Sequence, residues 1–145
     1  MARALDFPVL VRVTHFSAEA VLQVLDMGAV GVVAPHILNA EQASDLVRFA
    51  HFGNGGRGFA GATRWAGYGK QTMAQVLAQS SRETVVIAQI EEPEALANVE
   101  GIAATDGIDG VFLGPSDMSV SMGYTCLLYT SDAADDLLCV DLGGR

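Results

Sequence analysis

Two carboxylates and one guanidinium are the residues whose types and spacing could do chemistry. Glu91 stands directly after the apolar run Thr84–Ile90, and Asp117 lies four residues beyond Leu113, where another apolar run ends. If both runs are parallel strands, side chains that follow their C-terminal ends gather at a single mouth. Two hard oxygen ligands with open positions suit Mg²⁺ or Mn²⁺, ions that keep waters a chelating substrate can displace. Arg12, near the end of the first run, is the third candidate. A guanidinium there can hold a ketone oxygen or the enolate oxygen that develops from it. Each residue also has a plainer explanation: Glu91 as a helix cap, Asp117 in an Asx-turn, Arg12 as a surface charge. Spacing alone does not choose between the two sets. No Cys/His zinc spacing is present, and His15, His36 and His51 are isolated, so they read as structural or solvent-facing rather than as ligands.

The elements that must position these groups follow from the apolar pattern. Phe7–Val13, Val30–Ala34, Thr84–Ile90 and Ile108–Leu113 are short, β-branched, continuously apolar runs, as expected of strands covered on both faces. Between them lie amphipathic helical patterns. Ser17 offers an N-cap oxygen to a helix with Val21, Leu22, Val24 and Leu25 on its apolar stripe, stopping at Gly28. Asn39 caps a second helix with Gln42 at the capping-box position, and Ala43, Leu46, Val47 and Ala50 form its buried face. A short helix is expected around Met73–Gln79. A further one starts at Glu92-Pro93, faces Leu96, Ala97, Val99 and Ile102 inward, and ends at Gly107. Gly53 to Lys70 is different: glycine-rich, without a clear period, and carrying Arg57, Arg64, Trp65 and Tyr68. Loops of that length inside α/β domains are usually functional or disordered. Four βα units are thus visible, and the pattern fits a doubly wound sheet and a barrel segment equally well.

Composition excludes several function classes. The chain has 145 residues and a formal charge of −9, from 17 acids against 8 bases, with no Lys/Arg cluster, so nucleic acid and anionic membranes are poor partners. No apolar run approaches the roughly 18 residues of a membrane span, and Met1-Ala2-Arg3 is not followed by a signal-peptide core. A soluble, cytoplasmic protein is expected. Cys126 and Cys139 both fall in the C-terminal stretch, so no disulfide framework is implied.

That stretch breaks the α/β rhythm. Back-translated, Cys126–Asp135 and Val140–Arg145 resemble the end and primer sequences of a transposase-based sequencing library, with room for an index between them. Residues 1–124 are therefore read as an incomplete barrel domain and 125–145 as a non-native tail, with 126–145 set aside from the reading of the fold.

Gln89-Ile-Glu91 after one strand, Gly114-Pro-Ser-Asp117-Met-Ser after the next and Met122-Gly-Tyr124 together resemble the HpcH/HpaI aldolase/citrate lyase family. Val9-Leu-Val-Arg12-Val and Arg57-Gly-Phe59 add to the resemblance, which covers residues 5–124. It implies an α/β fold, here part of a (β/α)8 TIM barrel, and a class II aldolase acting on 2-keto acids and releasing pyruvate and an aldehyde. Carried over residue by residue, Glu91 and Asp117 would be the ligands of Mg²⁺ or Mn²⁺. Arg12 would lie beside the pyruvyl carbonyl, Gln89 would line the pocket, and the backbone amides around Gly114, Pro115 and Ser116 would receive the substrate carboxylate. A metal acting as Lewis acid needs no Schiff-base lysine, and the one lysine, Lys70, lies in the glycine-rich loop. The family's first two βα units, with an acidic-His motif that supplies the base, would precede Met1, and its last units would follow Tyr124. A fragment so bounded is expected to leave a barrel open, with two unpaired strand edges and no activity of its own. The parent is expected to be a homo-oligomer with a small-molecule substrate. An acyl-CoA carbon–carbon lyase of the citrate-lyase type is the alternative, which the Gly-Pro-Ser-Asp form and the Arg57-Gly-Phe59 loop disfavour.

Overall fold

The computed structural model describes Leu5 and residues 7–125. The reading of 125–145 as a tail therefore lies, apart from Thr125, outside the described residues. In chain order the elements are β1 (Leu10–Arg12), α1 (Ala18–Asp26), β2 (Gly31–Ala34), α2 (Ala40–Ala50), α3 (Met73–Glu83), β3 (Val85–Ile90), α4 (Pro93–Ala97), α5 (Val99–Ala103), β4 (Gly110–Leu113) and α6 (Pro115–Ser121), with one 3₁₀ turn at Gly67–Gly69.

The strands form one parallel sheet in sequential order β1-β2-β3-β4. This order separates the two architectures that the sequence left open. A doubly wound sheet reverses direction at a switch point and carries helices on both faces, whereas a barrel adds each strand beside the last and keeps its helices outside. Here Val13, Val32, Ala34, Val86, Ala88 and Ile90 point to a shared core with Val21 and Leu25 of α1, Ala43, Leu46 and Ala50 of α2, Ile102 of α5 and Met118 of α6. Each large aliphatic side chain buried there contributes about 1.5–3 kcal/mol. The alternate positions in register, Arg12, Val33, Ile87 and Gly110, with Gln89 opposite Phe112 one step further on, form the other face. No helix core of the described residues covers that face, and Phe112 is 53% exposed. The described sheet has β1 and β4 at its margins.

Local signals explain most of the helices. Ser17 Oγ accepts from the Ala20 amide (3.2 Å) and Asn39 Oδ1 from the Gln42 amide (2.9 Å). The capping-box expectation at Asn39 is corrected in one respect: Gln42 Oε1 accepts from the Leu38 amide (2.8 Å), one residue upstream of the cap. The reciprocal box occurs instead at Thr72 and Gln75, and the helix it opens runs to Glu83 rather than stopping near Gln79. Ser80 extends it because its hydroxyl is buried against that of Thr84 at 3.2 Å, a partner the helical pattern does not reveal.

The helix after β3 also differs from expectation. Asn98 (φ −104°, ψ 7°) divides it into α4 and α5, so one continuous apolar phase cannot hold. Ala95 and Ile102 are buried, while Leu96 and Ala97 face outward. The strands are shorter than their apolar runs, since Phe7 is exposed and Asp109 enters the ladder through its side chain, Oδ2 accepting from the Val86 amide at 2.7 Å. The glycine-rich segment is packed rather than loose: Trp65, Ala66 and Val76 form a second small core with Phe52 against it. Among the described residues no helix is long and apolar enough to cross a membrane.

Candidate active site

The parallel register delivers Glu91 and Asp117 to the same end of the sheet, after the neighbouring strands β3 and β4. Pairing of Ile90 with Leu113 sets Glu91 beside Gly114. The contact is close: a methyl group on Gly114 would lie 2.9 Å from Glu91 Cβ, 3.0 Å from Glu91 Oε2 and 3.0 Å from Gln89 Nε2. Only a residue without a side chain leaves that space. Gln89, two positions before Glu91, projects from the same strand face, and both are buried, 6% and 2% exposed.

Burial makes the polar bookkeeping of this corner informative. Glu91 Oε1 accepts from the His36 amide at 3.0 Å, but Glu91 Oε2 and Gln89 Oε1 are buried with no hydrogen-bond partner among the described residues. Buried acceptors left bare are rare and costly, and ask for a function or a bound group. A bare carboxylate oxygen beside a side-chain-free glycine is a hard donor of the kind that Mg²⁺ or Mn²⁺ prefers. The residues present therefore fit a divalent cation.

The other expected site residues stand around this pair without contacting it in the same way. Asp117 lies in the first turn of α6 and is exposed, as are Pro115 and Ser116. The Gly114 amide is committed to Ile90 O (2.8 Å) and Pro115 has no N–H, so of the three amides expected to bind a carboxylate only that of Ser116 remains. Arg12 is the last residue of β1, exposed, and on the same face as Gln89 and Glu91 by the strand alternation and register. No group of three or more His, Cys, Asp or Glu side chains poised for one ion occurs among the described residues.

His36 is the residue that the sequence reading passed over. It follows β2 at the same sheet end, in a left-handed conformation (φ 56°) that favours Asn or Gly over His. Its Nδ1 lies 3.0 Å from Glu92 Oε1 and 3.3 Å from Glu91 Oε1. Glu92, where the helix was expected to start, occupies the N-cap position of α4 but makes no cap hydrogen bond and lies against this imidazole instead. The available signal was position: His36 comes two residues after Ala34, where a barrel strand ends.

A sequential parallel βα sheet with its helix-packed core on one face and a buried carboxylate beyond the C-terminal end of β3 defines the class, a barrel-type α/β protein. The sequence profile of the HpcH/HpaI aldolase/citrate lyase family matches residues 1–132, and the chain belongs to that family. The matched span reaches into the stretch that the sequence reading sets apart. A 4-hydroxy-2-oxovalerate aldolase of Novosphingobium aromaticivorans is 40% identical over 117 residues, 79% of this chain and 43% of that protein. A 2-keto-3-deoxy-L-rhamnonate aldolase of Klebsiella pneumoniae is 38% identical over 79% of this chain and 43% of its own length. Among solved structures, an HpcH/HpaI aldolase/citrate lyase family protein of Burkholderia cenocepacia superimposes with a TM-score of 0.76 at 33% identity, over 84% of this chain and 49% of that one. The chain thus spans just under half the length of the relatives it matches.

Proposed function

We propose that the protein is a divalent-metal aldolase that cleaves or forms the carbon–carbon bond of a 4-hydroxy-2-oxo acid, with pyruvate and an aldehyde as the other side of the reaction. The observation that carries this reading is the bare buried carboxylate oxygen Glu91 Oε2 beside Gly114, with the buried Gln89 side chain next to it. Family membership and relatives named as aldolases of 2-keto acids support it.

Glu91 would hold the cation, Mg²⁺ or Mn²⁺, with Asp117 from the following βα turn as the second carboxylate. When bound, such an ion polarises the 2-keto oxygen as a Lewis acid. The remaining work falls to the chain's own residues. Gln89 holds the substrate's pyruvyl end by hydrogen bonding from a buried, preset side chain. Arg12, on the same sheet face, supplies a fixed positive charge where negative charge accumulates on the keto oxygen as the Cα–Cβ bond breaks. Its delocalised, permanently charged group suits that task better than an ammonium. The Ser116 amide is the donor left for the substrate carboxylate.

The test is pyruvate release from a 4-hydroxy-2-oxo acid by the full-length protein, followed with a coupled dehydrogenase. Turnover is expected to vanish on chelation, to return with Mg²⁺ or Mn²⁺, and to be lost in Asp117→Asn. Undiminished turnover after exhaustive chelation would overturn the metal assignment, and cleavage that required coenzyme A would overturn the substrate class.

A further inference from the structure

We infer that His36 is a positioning residue for Glu91: it fixes the carboxylate so that Oε1 is taken up by the protein and Oε2 alone is presented to a cation. The inference rests on the reading of Glu91 as a ligand given above.

Three contacts meet at this residue. The His36 main-chain N–H donates to Glu91 Oε1 at 3.0 Å. Its imidazole Nδ1 lies 3.0 Å from Glu92 Oε1, and since a carboxylate only accepts, that nitrogen is the donor. The same nitrogen is 3.3 Å from Glu91 Oε1. One residue thus engages both members of a consecutive carboxylate pair through different groups. Glu92 is drawn toward the ring, and Glu91 is left with one free oxygen, the buried Oε2.

The backbone shows how the donor is aimed. Pro35 and Ile37 are fully buried on either side of His36, and the His36 side chain is 58% exposed. Leu38, next along, is held at both ends: its N–H donates to Gln42 Oε1 (2.8 Å) and its carbonyl accepts from Asn98 Nδ2 (2.9 Å). Two residues before this anchored position, His36 has a positive φ of 56° while its amide meets Glu91 at the end of β3. A non-glycine residue in that region costs free energy and persists where its surroundings fix it. The ring contact to Glu92 is one such restraint, and residues that orient metal ligands in this way typically govern affinity by 10–100-fold.

The experiment measures Mn²⁺ affinity of the full-length protein by electron paramagnetic resonance of the free ion, beside its thermal midpoint. His36→Gly keeps the main-chain donor and suits the positive φ but removes the ring. It is expected to weaken Mn²⁺ binding about tenfold. His36→Asn, which tolerates the same backbone and restores a side-chain donor, is expected to recover affinity to within about threefold. Glu91→Gln is the reference for the underlying reading. Lost affinity in Glu91→Gln with wild-type affinity in His36→Gly would overturn the role of His36 alone. So would a His36→Asn protein as weak as the glycine variant at an unchanged thermal midpoint. Wild-type affinity in Glu91→Gln would overturn the ligand assignment beneath it.

Discussion

Two regions of the molecule each bury a charged side chain and leave one of its polar atoms, Arg57 Nη1 and Glu91 Oε2, without a hydrogen-bond partner among the described residues. Only the first has a close counter-ion. In the glycine-rich segment, Arg57 is 3% exposed, and its Nε and Nη2 both donate to Asp26 Oδ1, at 3.2 and 2.6 Å. Its guanidinium carbon lies 4.5 Å from the Phe52 ring and 5.4 Å from that of Trp65. Burial pushes the Arg57 pKa down and the Asp26 contact pushes it back up. At the end of β3, Glu91 is equally buried but has no Arg or Lys partner among the described residues, and one of its oxygens is bare. A buried charge that has a counter-ion and ring faces around it serves the fold. A buried carboxylate without an Arg or Lys beside it is poised for a positive charge that is not protein.

Substitutions can break this contrast, beginning with the largest expected effect. Glu91→Gln should lower turnover by about a thousandfold, since a lost ligand forfeits several kcal/mol of charge stabilisation. Its thermal midpoint should hold or rise, because the buried charge goes with it. A midpoint that fell as far as turnover did would place Glu91 with Arg57 among the structural charges. Arg57→Met should behave inversely, costing about 3 kcal/mol in urea unfolding while Mn²⁺ affinity per folded molecule stays unchanged. Trp65 fluorescence should shift to the red in that variant, reporting a loosened second core.

Gly114→Ala sharpens the comparison from the site's side. A methyl group 2.9–3.0 Å from Glu91 and Gln89 must displace one of them, so metal affinity should fall tenfold or more while circular dichroism is kept. The smallest effect belongs to His51, near the Arg57 end of the molecule. Burial lowers its pKa below the usual 6.5, the Arg57 charge adds to this, and Asp109 opposes it. The folded state then binds a proton less readily than the unfolded chain. Stability should be level above pH 6.5 and decline as pH falls below it. His51→Gln should flatten that decline in urea midpoints taken across the range; an equal slope in both proteins would remove His51 as its source.

Much of this was legible in the residue pattern, and the failures have physical causes. Continuous apolar runs gave the parallel strands, and Ser17 and Asn39 gave two helix starts, because caps and burial on both faces are local properties. Glu91 was singled out by its strand-end position, and Gln89 by the family resemblance. The phase of Leu96 was not legible, since the helix breaks at Asn98, whose side chain bonds to Leu38 O, a partner 60 residues away that no local pattern reveals. His36 escaped notice because its principal contact is a main-chain amide, which carries no side-chain signature. Arg57 lay in a stretch whose glycines suggested looseness, although its aromatics and its bond to Asp26 fasten it down.

The Asn98–Leu38 tie has one more implication, for anyone recombining relatives of this protein. It joins the turn that carries His36 to the helices that follow Glu91. Those two segments, distant in sequence, form a single heritable unit. Chimaeras that exchange one without the other should lose the alignment of Glu91 even when every residue named for the reaction is retained.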